Sequence, residues 1–209
     1  MITLRLMGGL GNQMFQYASL RAFMLENKEK GTISLKGITN KTHNVYSLNY
    51  FNISDEVKVK EKETIKLKLT HYLYGFYCVF LIKKKNGFKI VEKIQPLINK
   101  FGIYCVPDGY IKLNNSKNKN KTMVGYFQST KYFDKYRDII KRELKVKMPV
   151  SDRNKDTLKQ IKDSNSVCLH IRRGDYVGTK HEVCNINYYL KAIKVMKGKV
   201  KDCKFFVFF

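Results

Sequence analysis

The stretch ITLRLMGGLGNQMFQYASLRAFML, residues 2–25, decides the fold. Residues 2–6 alternate apolar and polar side chains, the period of a strand with one buried face. Gly8, Gly9 and Gly11 follow at once. The spacing then predicts a helix opened by Asn12, with Met14, Ala18, Ala22 and Leu25 recurring by turns and ENKEK closing it. A second strand is expected at TISLK, residues 32–36. Strand, glycine turn, helix, strand is the opening of an α/β sheet.

The glycine turn itself is a candidate site. Glycines after a first strand let a backbone come close to a ligand, and the helix start that follows favours an anion or polar group. No Gly-Lys-Ser/Thr completes a phosphate loop, and the full dinucleotide fingerprint is missing. Two readings stand at this point. In one, Gly9 and Gly11 admit a ligand and Asn12 and Gln13 donate amides to its oxygens. In the other, the segment is a tight turn with Asn12 as helix cap.

Further along, residues 64–85 read as a helix, and FKIVE (88–92) and YIKLN (110–114) as short strands. NNSKNKNK (114–121) reads as a solvated loop, TMVGYFQS (122–129) as a buried strand, and 131–144 as a helix. A boundary is expected at KMPVSDRN, around Pro149, giving domains over 1–150 and 151–209. Beyond it, Ser151 or Asp152 is expected to cap a helix reaching about residue 163. A strand at 166–172, a helix at 187–196 and a strand at 204–209 follow. The last strand, CKFFVFF, has the composition of one buried inside a parallel sheet. A half-domain ending there leaves sheet edge uncovered, so the expectation is the N-terminal portion of a longer design with its second domain incomplete.

That second domain carries VCLHIRRGDY, residues 167–176. On a strand, Val167, Leu169 and Ile171 point to one face, and Cys168, His170 and Arg172 to the other. His170 and Arg172 then lie side by side at the carboxyl end of a strand, where open α/β sheets bind ligands. Gly174 allows a sharp turn that returns Asp175 toward an arginine or a substrate hydroxyl. A guanidinium is always charged and bonds two oxygens at once, which suits a diphosphate leaving group. The alternative is a strand end with an incidental salt bridge. An adhesion role for Arg173-Gly174-Asp175 does not fit a tripeptide that follows an apolar strand.

With 209 residues and 44% hydrophobic content, the chain has enough material for a core. Lys and Arg number 41 against 17 Asp and Glu, a net charge of +24. Such a surface attracts polyanions: nucleic acid, an anionic membrane face or phosphorylated small molecules. The five cysteines show no metal-ligand spacing, and Met1 leads straight into a strand. Both point to a reducing, cytoplasmic setting. The apolar run YLYGFYCVFLI, residues 72–82, is too short to span a membrane. It reads either as a buried helix or as an interfacial helix on an anionic leaflet, flanked by lysines.

Four ordered segments, GGLGNQMFQYA (8–18), GYFQSTKYF (125–133), HIRRGDYV (170–177) and CNINYYLKAI (184–193), resemble the bacterial α-1,2-fucosyltransferases of glycosyltransferase family 11. The resemblance runs over essentially the whole chain. It implies a GT-B-like fold of two Rossmann-like α/β domains, an acceptor-side domain first and a GDP-sugar-binding domain second. It implies inverting, metal-independent transfer of fucose from GDP-fucose to a galactose 2-hydroxyl, with no cofactor. Arg172 would hold the donor's β-phosphate, His170 and Arg173 would assist, and Asp175 would order the site. Asn12 and Gln13 would face the donor sugar. The acceptor expected is a galactose-terminated oligosaccharide or lipid-linked glycan of the bacterial surface. Peripheral contact with the anionic inner face of the plasma membrane would accompany it. Family members continue beyond an FFVFF-like strand with segments that complete the nucleotide site, so little activity is expected of these 209 residues by themselves. The competing class is a basic module that binds nucleic acid or another polyanion. Against it, the lysines are scattered on no recognised motif, and nucleic acid is not among the expected partners.

Overall fold

The computed structural model describes residues 1–39, 44–171 and 184–208. The chain divides into two compact units, Met1–Met148 and Pro149–Phe209. In the first, β1 (Ile2–Met7), α1 (Leu10–Asn27), β2 (Gly31–Gly37) and β3 (Val57–Lys60) are followed by α2 (Ile65–Phe76). A π-helical turn, Tyr77–Leu81, extends α2; then come α3 (Gly87–Asn99), β4 (Ile103–Val106), β5 (Lys121–Gly125) and α4 (Arg137–Glu143). The second unit has α5 (Asp152–Lys162), β6 (Asn165–His170), α6 (Ile186–Lys199) and β7 (Cys203–Phe208).

The five strands of the first unit form one sheet in the order β3-β2-β1-β5-β4, every neighbouring pair parallel. Strand alternation gives β1 two working faces. Ile2, Leu4 and Leu6 pack with Tyr17, Leu20, Phe23 and Met24 of α1. On the other face Met7 and β5's Val124 meet Leu67 of α2, and the hydroxyls of Thr70 and Thr122 bond at 2.8 Å. This mixed α/β architecture, a parallel sheet between helices, is compatible with a Rossmann-like glycosyltransferase domain.

Several local expectations are corrected. FKIVE is the start of α3, not a strand. Phe88 packs on the core and Val91 is buried, and the row continues through Gln95 and Ile98, a helical spacing that five residues are too few to reveal. YIKLN is not a strand either. The Ile111 side chain is buried, but its N–H donates to the Tyr132 hydroxyl (2.9 Å) and its carbonyl accepts from it (3.1 Å). A phenol therefore takes the place of a strand neighbour. Strands β3 and β4 were not expected. The single helix expected over 131–144 is two 3-10 turns followed by the short α4.

Lys121, expected in a solvated loop, is the buried first residue of β5. Its ammonium pairs with Glu29, which also accepts from the Met1 amino group at 2.5 Å. Burial alone would raise the Glu29 carboxyl, but these two cations outweigh it and hold it below the ordinary carboxylate range. A second network ties α1 to α4. Arg21 bonds Glu143 (2.9 Å) and Glu56 (2.6 Å), and the Tyr17 hydroxyl donates to Glu143 at 2.6 Å.

In the second unit β6 and β7 pair in parallel from Asn165↔Cys203 to His170↔Phe208, with α6 as the crossover. Ser151 stands at the N-cap of α5, with no side-chain bond to the helix. Asn185 does cap α6, accepting from the Tyr188 N–H.

Candidate functional site

Beside β1 the sheet order reverses. The chain leaves β1 for β2 on one side, while β5 arrives on the other. The crevice outside the carboxyl ends of β1 and β5 is the switch point at which such sheets bind ligands. Two segments meet there: the glycine turn after β1, and Tyr126, Phe127 and Gln128 after β5.

The turn is built for close approach. Gly8 has φ +75°, and a Cβ there would lie 2.7 Å from Asn12 Nδ2 and 3.1 Å from the Tyr126 ring. Gly9 is the extended N-cap of α1 and has no side chain to cap with, so α1 starts at Leu10, two residues before the expected opening at Asn12. No acidic side chain lies in the first turn. The helix therefore presents uncapped first-turn amides and the positive end of its dipole to the crevice. Gly11 is exposed in that turn, and a Cβ added there would meet nothing within 4 Å.

Asn12 and Gln13 have different roles. Asn12 is half-buried, and its Oδ1 accepts from Gln128 Nε2 at 2.7 Å. This bond joins the β1 and β5 segments at the crevice. Gln13 is fully buried. Its Nε2 donates to the Gly8 carbonyl (2.9 Å) and the Val45 carbonyl (2.7 Å), and its Oε1 accepts from the Ser47 N–H (2.9 Å). Both amide hydrogens are spent on the protein, so Gln13 pins the turn to a neighbouring loop rather than facing a sugar.

Gln16, not singled out in the sequence, does the same for the end of β1. It bonds the Met7 N–H (3.0 Å) and carbonyl (2.7 Å) where the β1–β2 register shifts. The signal was a pair of glutamines three residues apart, on the face of the helix that turns inward.

The β5 side was also missed as a site. Gly125 ends the strand at φ +151°, where a Cβ would stand 2.4 Å from the Val106 carbonyl oxygen. Phe127 is buried with φ +52°, a conformation a bulky L residue rarely adopts. Its ring, edge-on to Tyr132 at 5.5 Å, holds it there. The left-handed step turns exposed Gln128 back toward Asn12. Strain of this kind concentrates at ligand sites.

His170 ends β6 in the other unit. It and Cys168 are exposed, while Val167, Leu169 and Ile171 are half-buried on the opposite face, as alternation requires. The Ile171 N–H donates to the Phe208 carbonyl at 2.8 Å, carrying the ladder one residue past the strand. Arg172, Arg173 and Asp175 lie outside the described residues. The structure thus brings Gly9, Gly11, Asn12 and Gln13 into one turn and sets His170 at a strand end of the second unit.

Residues 98–209, which include β4, β5 and the second unit, match the family model for glycosyl transferase family 11. The chain belongs to glycosyl transferase family 11. Membership makes it a glycosyltransferase, an enzyme that takes a nucleotide-sugar donor and a glycan acceptor. Among curated proteins, this family 11 chain is 29% identical to an alpha-1,2-colitosyltransferase of Escherichia coli, over 99% of its own length and 68% of the relative's. It is 28% identical to the O-antigen biosynthesis glycosyltransferase WbnK of Escherichia coli, over 92% of its own length and 67% of that protein's. It spans about two thirds of the length of each. No solved structure matches it.

Proposed function

We propose that the protein is an α-1,2-fucosyltransferase of GT-B type, moving fucose from GDP-fucose to a galactose 2-hydroxyl of a bacterial surface glycan. The observation that carries this reading is the uncapped glycine turn at the switch point. It stands in a family 11 chain whose sequence also carries HIRRGDY, of which His170 is the last residue of β6. The chain's likeness to an alpha-1,2-colitosyltransferase and to an O-antigen biosynthesis glycosyltransferase supports an α-1,2 linkage and an O-antigen setting.

In this mechanism the donor's diphosphate meets the arginines after His170. Arg172 grips the β-phosphate with a planar fork, and Arg173 and His170 add donors, as the departing nucleoside diphosphate gains charge. Charge neutralisation by fixed guanidinium groups removes the need for a metal. Asp175 orders the arginines. The first unit contributes its own glycine turn, where Gly9 and Gly11 leave the first amides of α1 open and Asn12 stands beside them to bond sugar oxygens. The acceptor 2-hydroxyl attacks the anomeric carbon from the face opposite the diphosphate, inverting the configuration, and its proton leaves to a base near the acceptor. The enzyme works in the cytoplasm.

The test combines binding and transfer. Titration with GDP and GDP-fucose should give saturable binding that mixed-sequence DNA does not compete away at moderate salt. The protein should transfer fucose to a galactoside in the presence of a chelator. Arg172→Ala should abolish transfer and leave the circular dichroism spectrum unchanged; full activity in that variant would overturn the assignment. Tight, salt-sensitive DNA binding with no response to GDP would favour the polyanion-binding reading. The colitosyltransferase relative supports a second donor sugar, so GDP-colitose belongs in the same assay, and exclusive use of it would replace fucose.

A further inference from the structure

The first unit's second helical layer is apolar on both sides. Along α2 and its π-helical extension, Leu67, Thr70 and Tyr77 are buried toward the sheet. Ile65, Leu69, Tyr72, Phe76 and Phe80 are exposed at intervals of three and four residues. At 100° per residue the mean directions of the two rows are about 130° apart around one helix. The exposed row is not marginal: Ile65 is 82% exposed and Tyr72 63%. Phe76 and Phe80 lie against each other in the open, ring centres 5.2 Å apart and planes tilted by 31°. Helix α3 adds a second exposed row, Ile90, Ile94 and Leu97, and Phe101 is exposed two residues past its end. Lys66, at the start of α2, donates to the Phe101 carbonyl at 2.7 Å and so links α2 to the turn that follows α3. The sequence run 72–82 was open between a buried and an interfacial helix; Tyr77 is buried and Leu73, Tyr74, Leu81 and Ile82 pack half-buried on the core, while Tyr72, Phe76, Val79 and Phe80 are exposed.

Charge decides what fits this face. Exposed lysines border it: Lys62 just before α2 and Lys68 on it, Lys83, Lys84 and Lys85 just past the π turn, and Lys89 on α3. From residue 58 to 100 the chain has 11 lysines and three glutamates, a net of +8. A second copy would bring an equal charge against it and be repelled. Nucleic acid would satisfy the lysines but leave the isoleucine and leucine centre wet. A bilayer rich in anionic lipid satisfies both, taking the apolar row into the acyl boundary and the lysines at the headgroups. Among the described residues no helix is long and apolar enough to cross a membrane, which fits a helix lying in the interface.

We infer that α2, its π turn and α3 form a docking face for an anionic membrane surface. This deepens the reading of the enzyme as one whose glycan acceptor is carried on a lipid, since docking would bring the switch-point crevice to an acceptor confined to the bilayer plane.

The experiment is co-sedimentation of the protein with sucrose-loaded vesicles, one part phosphatidylglycerol to two parts phosphatidylcholine. Binding is expected, with loss in vesicles of phosphatidylcholine alone and at high salt. The Phe76→Ser/Phe80→Ser double variant should lower partition on the order of a hundredfold, from two aromatic side chains no longer buried. Because both rings are already exposed, the variant should keep the wild-type circular dichroism. Changing Lys83, Lys84 and Lys85 to Gln should cost about fivefold per lysine on anionic vesicles and little on neutral ones. Absence of vesicle binding, or binding indifferent to the two serines, would overturn the inference. So would a dimer that the serines dissolve, since the face would then belong to a second copy. The assay needs no transfer activity, so its failure would leave the transferase reading standing.

Discussion

Separate alanine substitutions at Gly8 and Gly11 distinguish a glycine needed by the fold from one needed by a ligand. At Gly8 the backbone sits at φ +75°, which costs an L side chain about 1–2 kcal/mol. The new methyl would stand 2.7 Å from Asn12 Nδ2, so Asn12 must swing away and lose its 2.7 Å bond to Gln128. That bond is worth about 1 kcal/mol. The expected loss for Gly8→Ala is therefore about 2–3 kcal/mol. At Gly11 the methyl enters open space inside a helix, where alanine is favoured by about 0.5–1 kcal/mol. Urea unfolding followed by far-ultraviolet circular dichroism reads both, since the chain has no tryptophan. Transfer from GDP-fucose is measured alongside. Gly11→Ala should unfold at higher urea yet transfer poorly, because its methyl occupies the space a sugar needs. A Gly11→Ala protein that is both more stable and fully active would refute the first turn as a ligand surface. A Gly8→Ala protein of wild-type stability would refute the strain argument.

Gln13→Ala should cost about 2–3 kcal/mol in the same unfolding assay, because two carbonyls and the Ser47 N–H lose buried partners. Gln13→Glu should be no better, since a carboxylate would face two carbonyl oxygens. Glu29→Gln should cost about 3 kcal/mol near neutral pH by leaving Lys121 buried without its counter-charge. The Glu29 carboxyl titrates lower folded than unfolded, so its contribution is present above the unfolded value of about 4.3 and is lost as pH falls through the folded value. The gap between wild type and Glu29→Gln in unfolding free energy should thus close in acid; a gap constant from neutral pH to acid would count against the pair. Burial, and after it the neighbouring Cys78, pushes the Cys105 thiol far above its usual range. A disulfide reagent at neutral pH should label exposed Cys168 early and reach Cys105 only on unfolding.

The legible parts of this chain are those set by neighbours in sequence. Residues 2–27 declare a strand, a glycine turn and a helix because alternation, glycine and turn spacing are local signals. The alternation at 167–171 likewise placed His170 and Cys168 on the exposed face. What was not legible depends on partners far along the chain. Strand β3, Val57–Lys60, has one buried valine and two lysines, and becomes a strand only because β2 lies beside it. Ile111 looks like a strand residue until the Tyr132 hydroxyl occupies its backbone groups.

The candidate site divides in the same way. The sequence by itself determined that a glycine turn opens the first helix and that Asn12 stands in that turn. Only the tertiary structure decided that Gln13 is consumed by Gly8, Val45 and Ser47, and that Gln128 reaches Asn12 from 116 residues away. It also decided that Lys121 is buried against Glu29 and that Phe76 and Phe80 face outward. The physical reason is that a side chain's type limits which bonds it can make, whereas the bonds it does make depend on which strands pair. Five parallel strands in the order β3-β2-β1-β5-β4 bring together segments that no sequence window contains.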